Sequence, residues 1–483
     1  MFKKTHIKAL LGSVLIGSMA AVSTPAMATN EAMMDLLKIL RDKGSISAEE
    51  YDLLKNASAA DKEKVEGAAN EAKAAVKDAT KGLPKITTKG KLQFEDKKNG
   101  NKFRFGGRLM ADTTFALGDG DLESEGGSPV TEFRRARLYA SGVFQKFWKF
   151  KFQYDFAGQS GTSAPTSGIR DAYIAYTGFK PVTVTVGHQK TPLSLEELTS
   201  SKYITFIERS QLVNGIVTDT GGGRQYAISA KGYFSDMFTL AGAVYAGTAN
   251  EDSAEDQNGF TGRATFSPIH EKTQAIHLGV GFDVSRAMNG GGIDIDGEPE
   301  IHPGNDIAET DSDDHGESTT FVAEAAGVWG PWSLQAEYAT VDVEDSPTER
   351  DVTADAWYIY GSYYLTGESR RYNWKGGSFK QTKVKNPLHK GGYGAWEVAA
   401  RYTSGEFENA DATDADEADI LTLGLNWYPS NNVRFSANYV AILDTSDGAD
   451  RELGSGAGGD GDLTPGASGD DLDYFIARAQ WYF

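Results

Sequence analysis

From Lys102 to the end of the chain, apolar and polar residues alternate one by one in segment after segment. That period constrains the fold more than any other feature. Phe103, Phe105, Leu109, Ala111 and Phe115 share one parity, while Lys102, Arg104, Arg108, Asp112 and Thr114 share the other. Trp148, Phe150, Phe152, Tyr154 and Phe156 alternate with Lys149, Lys151, Gln153 and Asp155. Leu421, Leu423, Leu425 and Trp427 alternate with Thr422, Gly424 and Asn426. A two-residue period with one apolar face is that of a strand whose two faces meet different surroundings.

Sixteen such segments are predicted, at 102–116, 131–145, 147–157, 168–177, 181–189, 224–233, 237–247, 259–267, 274–285, 319–328, 332–341, 356–366, 393–403, 420–428, 432–441 and 474–483. Gln145-Lys146, Ser235-Asp236 and Gly330-Pro331 read as tight turns, and the connections between such turns are long. Short turns at one end, long loops at the other and an apolar outer face predict an all-β transmembrane barrel of 16 antiparallel strands. Trp148, Trp332, Trp357, Trp396, Trp427, Trp481 and Phe483 fall near strand ends, where interfacial girdles lie. A soluble sandwich would fill its enclosed face with apolar side chains, whereas a water-filled barrel needs polar ones there.

The chain begins with Lys3, Lys4 and Lys8, an apolar stretch at 9–22 and Ala26-Met27-Ala28. This reads as a signal peptide over 1–28, hence export. Residues 29–84 are rich in Ala, Lys and Glu and predict a periplasmic helical, coiled-coil-like module. Met33, Leu36, Leu37 and Leu40 give a first helix stopped by Gly44. Ser47-Ala48-Glu49-Glu50 is a capping box for a second short one. Val65, Ala69, Ala72, Val76 and Ala79 form a small-residue heptad seam on a third. The barrel domain is then 85–483.

The 68 acids and 48 bases leave a net charge of −20, which argues against nucleic acid as a partner. No cysteine is present, which excludes disulfides and thiolate chemistry. The six connections at 117–130, 247–258, 287–318, 342–355, 404–419 and 442–473 hold 40 acids but only Arg350 and Arg451 as bases, so the remainder of the chain is net positive. The acidity is expected on outward loops, where Ca²⁺ or Mg²⁺ bridged to lipopolysaccharide would bind loosely; no other cofactor is expected. Asp294-Ile295-Asp296-Gly297 lacks the glutamate of an EF-hand loop. Without HxxxH, HExxH or a phosphate-binding glycine loop, no enzyme is expected.

Several segments together resemble the phosphate-selective porin O and P family of Gram-negative outer membranes. They are the Leu36-Leu37-Lys38-Ile39-Leu40-Arg41-Asp42-Lys43-Gly44 run, Phe105-Gly106-Gly107-Arg108, Phe133-Arg134-Arg135-Ala136-Arg137-Leu138 and Asp171-Ala172-Tyr173. Val186-Gly187-His188-Gln189-Lys190-Thr191-Pro192, Leu198-Thr199-Ser200-Ser201-Lys202, Trp396-Glu397 and the terminal Tyr482-Phe483 complete the match. The resemblance implies an outer-membrane homotrimer of 16-stranded porins, in contact with lipid and lipopolysaccharide, whose third long loop folds into the pore.

With the apolar face turned to lipid, the lumen receives Arg104, Arg108, Arg135, Arg137, Lys149, Lys151, Lys231, Arg263, Arg401, Arg434 and Arg478 against seven acids. Basic rings select anions, and the arginine fork suits phosphate-like groups. The loop at 190–223 is the expected constriction. The resemblance makes Arg108, Arg134, Arg135, Ser200, Ser201 and Lys202 its anion contacts, and Arg104, Arg137, Lys149, Lys151, Arg209, Arg224 and Arg263 extend the expected path. The family's phosphate-specific members carry a further lysine ahead of Ser-Ser-Lys. Here Glu196-Glu197 stands in that place, so repulsion of a phosphate dianion is expected there. The predicted function is passive diffusion of small inorganic anions, with phosphate as one candidate. The alternatives are a non-selective general porin, or a structural or adhesion protein. The seven bases of 367–392 are expected at the periplasmic mouth unless an unrecognised strand pair lies there.

Overall fold

A computed structural model describes residues 24–79, 84–88, 92–118, 129–157, 168–247, 257–287, 293, 295–297, 299–303, 309–310, 316–344, 352–408, 416–446 and 472–483. The chain divides into two units, 1–83 and 84–483. In the first, α1 (Thr24–Asp42) begins before the expected cleavage point, and α2 spans Ala48–Ala79. Residues 1–23 lie outside the described residues. Gly44 at φ 72° ends the first helix, a conformation open to glycine without steric cost. The capping box forms as expected: the Glu50 N–H donates to Ser47 Oγ at 3.1 Å and the Ser47 N–H to Glu50 Oε2 at 2.8 Å. The predicted second and third helices are one, because no glycine or proline breaks the chain near Ser58. Leu53 and Val65 are exposed along it.

The second unit contains β1 (Lys85–Thr87), β2 (Leu92–Asp96), β3 (Asn101–Gly118), β4 (Val130–Phe144), β5 (Trp148–Asp155), β6 (Gly168–Tyr176), β7 (Val182–Lys190), β8 (Arg224–Phe234), β9 (Phe238–Ala246), β10 (Gln257–His270) and β11 (Gln274–Ala287). It continues with β12 (Ile295–Asp296), β13 (Glu309–Thr310), β14 (Glu317–Trp329), β15 (Trp332–Glu344), β16 (Val352–Tyr364), β17 (Arg371–Asn373), β18 (Ser378–Lys380), β19 (Ala395–Glu408), β20 (Asp416–Ser430), β21 (Val433–Ser446) and β22 (Leu472–Tyr482). Sixteen of these, β3–β11, β14–β16 and β19–β22, pair antiparallel in chain order, and β22 pairs with β3 to close the barrel. All sixteen predicted segments are wall strands. At the seam the Phe483 N–H donates to the Gly107 carbonyl at 3.1 Å, and a Cβ on Gly107 would lie 2.9 Å from the Arg137 carbonyl oxygen. Below the seam β2 takes over as partner of β3, through Leu92 opposite Phe105.

The parity of the strands is the one expected. Phe103, Leu109 and Phe115 are exposed on the outer face, while Arg108, Asp112 and Thr114 are buried inside. Trp396, Trp427 and Phe435 stack at 5.6 and 5.5 Å between centroids at one end of the wall. Closure leaves no lateral edge along the wall, which lets every strand satisfy its backbone without water. Among the described residues no helix is long and apolar enough to cross a membrane.

The enclosed face departs from expectation on one side. Ala339, Val341, Val343, Val352, Ala354 and Ala356 face inward on β15 and β16 and pack against Leu193, Phe206, Leu212, Val213, Ile216 and Val217 of the 191–223 loop. The loop is therefore seated on an apolar patch, since removing both surfaces from water favours their contact. Segment 367–392 also differs from a plain mouth loop. It carries the three-residue strands β17 and β18, paired only with each other, so it is a small hairpin within the connection and adds nothing to the wall. The Phe379 N–H donates to Thr199 Oγ1 at 3.1 Å, which brings this hairpin against the constriction loop.

Candidate anion channel

The open part of the lumen is a cavity of about 780 Å³ on the β3–β8 side. Its bases are Arg108, Arg134, Arg135, Arg137, Lys149, Lys151, Arg170, Lys190, Arg209 and Arg224, and its acids are Asp171 and Glu197. Ser200, Ser201, Thr183, Thr185, Tyr173 and Gln189 add neutral polar groups. Strand register orders the bases along the axis. Arg108 lies opposite Arg137 and Lys151 opposite Tyr173, while Lys149, opposite Ala175, is nearest the short-turn end.

Two bulges shape this wall. Met110 pairs with Arg135 and Asp112 with Glu132, so β4 has one residue more than β3 between those pairs. The extra residue lets the adjacent Arg134 and Arg135 both reach the lumen, which strict alternation forbids. Likewise Gln153 pairs with Asp171 and Tyr154 with Ile169, which inserts Arg170 and turns it to the cavity beside Asp171. Sequence parity missed Arg170 for this reason. It also missed Lys190, the last residue of β7, where the chain leaves the wall for the loop.

The loop crosses the lumen on a short helical turn, α3 (Leu195–Leu198). Ser194 Oγ accepts from the Glu197 N–H at 3.2 Å as its N-cap. The Glu337 carboxylate of β15 accepts the N–H groups of Leu195 at 2.7 Å and Glu196 at 2.9 Å. The N-terminus of the turn is thus bound to the far wall. Further along, the Ile207 N–H donates to Asn438 Oδ1 at 2.7 Å, Arg434 donates to the Ile204 carbonyl at 2.6 Å, and Arg478 donates to Glu208 at 2.6 Å and Asp112 at 2.7 Å. Arg401 is bound by Glu300, whose carboxylate also accepts from Thr403 at 2.6 Å and Thr422 at 2.5 Å. Glu300 is thus an inward residue of the 287–318 connection, unlike the cap acids with which it was grouped. Of the eleven inward bases, Arg401, Arg434 and Arg478 thus fasten outer and constriction loops to the wall, and Lys231 likewise donates to the Gly376 carbonyl of the 367–392 hairpin at 2.6 Å.

Of the predicted path residues, Arg108, Arg134, Arg135, Arg137, Lys149, Lys151, Ser200, Ser201, Arg209 and Arg224 are brought together around the cavity, and three are not. Arg263 makes a two-point ion pair with Glu324 at 2.7 and 2.5 Å and donates to the Gly377 carbonyl at 2.9 Å, so it anchors the 367–392 hairpin. Arg104 bonds Gln93 of β2 at 3.3 Å, below the cavity. Lys202 lies 5.3–5.7 Å from the Tyr139, Tyr203 and Tyr482 ring centroids, a cation–π enclosure beside the path. Burial, reinforced by Arg108, Lys151 and Arg104, pushes its ammonium down to about 7.

The two glutamates do not act as expected. Glu196 accepts from the Ser210 N–H and hydroxyl, each at 3.1 Å, and faces Arg401 at 3.6 Å, away from the cavity. Glu197 is bound by Lys190 and, at 3.0 Å, by Arg209. Burial opposes its ionisation, but Arg209 and Lys190 outweigh it and hold the carboxyl at about 2. The repulsion predicted at Glu196-Glu197 is therefore compensated by bound cations. Glu208 likewise serves Arg134 at 3.1 Å and Arg135 at 3.5 Å. Arg108 differs from these. Its guanidinium donates to the Ser201 hydroxyl at 2.6 Å and has no carboxylate within ion-pair distance among the described residues.

A closed 16-stranded barrel with an infolded loop and a charged, open lumen is a porin. Residues 103–454 match the family described as phosphate-selective porin O and P, and the chain belongs to that family. It is 29% identical over 430 residues to Porin O of Pseudomonas aeruginosa, covering 82% of this chain and 92% of that one. An uncharacterized protein of Caulobacter vibrioides is 27% identical over 373 residues, 74% of this chain and 71% of the other. The barrel is similar to OmpF of Salmonella typhi in complex with daunomycin, at TM-score 0.51 and 12% identity over 80% of this chain and 99% of that one. It is also similar to the trimer form of OmpT of Vibrio cholerae, at TM-score 0.50 and 16% identity over 79% and 99%. The chain is thus a channel protein of a Gram-negative outer membrane.

Proposed function

We propose that the chain conducts small inorganic anions by passive diffusion, with phosphate among them, through the arginine-lined side of its lumen. The observation that carries this is Arg108, a buried guanidinium on the cavity wall held by a neutral hydroxyl and left with donors for a passing oxyanion. Charge-assisted hydrogen bonds replace the hydration an anion loses on entry, and a planar fork matches two phosphate oxygens. Ten bases line the cavity against Asp171 and Glu197, and with Glu208 and Asp155 paired behind Arg134 and Arg137 the bases still outnumber the acids, which gives the field its sign. The description of the family, phosphate-selective porin O and P, supports phosphate as a solute. A homotrimer is proposed on the trimeric OmpT neighbour, and loose Ca²⁺ or Mg²⁺ binding is proposed for outer loops that fall mostly outside the described residues. Reversal potential of the reconstituted protein in a KCl gradient tests the sign, and block of chloride current by millimolar phosphate tests the solute. A cation-selective potential would refute the proposal.

A further inference from the structure

Segment 381–394 lies on the short-turn end between β16 and β19; Gln381 and Thr382 bond the inward Tyr482 and Tyr364 at 3.2 and 3.1 Å, and the remainder carries an exposed basic face. No acid occurs from 369 to 396. Of the bases there, Arg370 is taken inward by Gln335 at 2.8 Å and Lys385 is held by the Gly367 carbonyl. Lys383, His389 and Lys390 remain exposed, and among the described residues neither lysine has a carboxylate within ion-pair distance. Beside them Leu388 and Tyr393 are exposed by 51% and 59%, and Leu365 at the end of β16 by 57%.

The segment is fixed where lipid begins. The Trp427 indole N–H, on the outer face in the Trp396–Trp427–Phe435 stack, donates to the Tyr393 carbonyl at 3.0 Å. Val384 donates to Asn431 Oδ1 at 3.0 Å and Gly394 to the Asn386 carbonyl at 2.8 Å, which folds the turn against the rim. Apolar side chains and lysines held at an aromatic girdle match an interface where chains are apolar and headgroups anionic.

We propose that segment 381–394 binds the headgroup of an anionic phospholipid of the periplasmic leaflet. The lysines take the phosphate, and the acyl chains lie along Leu388, Tyr393 and Trp427. The proposal goes beyond conduction and does not depend on the solute. Its two supports are charge complementarity and continuity with the lipid-facing wall.

The test uses the full chain purified in detergent and native mass spectrometry after addition of phosphatidylglycerol or zwitterionic phosphatidylethanolamine. Wild type is expected to retain phosphatidylglycerol preferentially. Lys383→Ala/Lys390→Ala is expected to lose that preference by about fivefold for each lysine removed, with phosphatidylethanolamine retention and single-channel conductance unchanged. Equal retention of the two lipids by wild type would overturn the proposal, as would undiminished preference in the double variant. Displacement of the lipid by millimolar inorganic phosphate would also overturn it, since it would mark a free-phosphate site. A changed oligomeric state in the double variant would overturn it in favour of a contact between copies. Unchanged conductance identifies a folded variant; should the double variant fail that check, Lys390→Ala alone is read in its place.

Discussion

The Arg108 guanidinium on β3 donates a 2.6 Å hydrogen bond to the Ser201 hydroxyl, joining the barrel wall to the loop that narrows it across 93 residues of sequence. Arg108 is expected to be the strongest anion contact. Arg108→Ala should weaken phosphate block of chloride current by about tenfold or more, since a hydrogen bond to a charged group contributes about 1.5–3 kcal/mol. Ser201→Ala should weaken it less, because the charge remains. Equal block in Arg108→Ala and wild type would refute this role.

Glu197 binds Lys190 and Arg209 and so withholds two cations from the path. Glu197→Gln is expected to release them and tighten phosphate block, while Glu197→Lys sets three cations together and should loosen the loop, seen as noisier single-channel current. The comparison of both variants in one bilayer assay checks the assignment.

Glu337 holds the first N–H groups of α3 from the opposite wall. Glu337→Leu leaves two buried donors without an acceptor. The loss should be on the order of 3 kcal/mol of loop anchoring, at about 1–3 kcal/mol for each unsatisfied group. Protease accessibility of the 191–223 loop and the open-state conductance should both rise.

Lys202, with its ammonium at about 7, should make anion selectivity fall with rising pH. The amine is charged below that value and neutral above it, so the positive field beside Arg108 is stronger at pH 6 than at pH 8. Permeability ratios at the two pH values should differ by less than about twofold, because the other bases stay charged. In Lys202→Met the difference should vanish.

Arg263 fastens the 367–392 hairpin through its own bonds to Glu324 and Gly377. Arg263→Ala is expected to raise conductance through a looser hairpin while leaving the sign of selectivity intact. Reversal potential and single-channel conductance, measured together, separate the two effects.

Sixteen strands, their outward face and the capping box at Ser47 were legible in the sequence, because each depends on neighbours within a few residues. The alternation of Phe103, Phe105 and Leu109 with Arg104 and Arg108 follows from the pleat alone. The inward valines at 341, 343 and 352 were legible in principle as an apolar run on the lumen parity, but only the loop packed on them gives that run a meaning. Tertiary structure decided which inward charges are available. The bulges opposite Met110–Asp112 and Gln153–Tyr154 add Arg134 and Arg170 to the path against parity. Glu324 removes Arg263, and Lys190 with Arg209 compensates Glu197. The physical reason is one of range. Which face a side chain takes is set by the local backbone, whereas the partner that neutralises or frees its charge can come from far along the chain, 61 residues for Glu324 with Arg263 and 366 for Asp112 with Arg478.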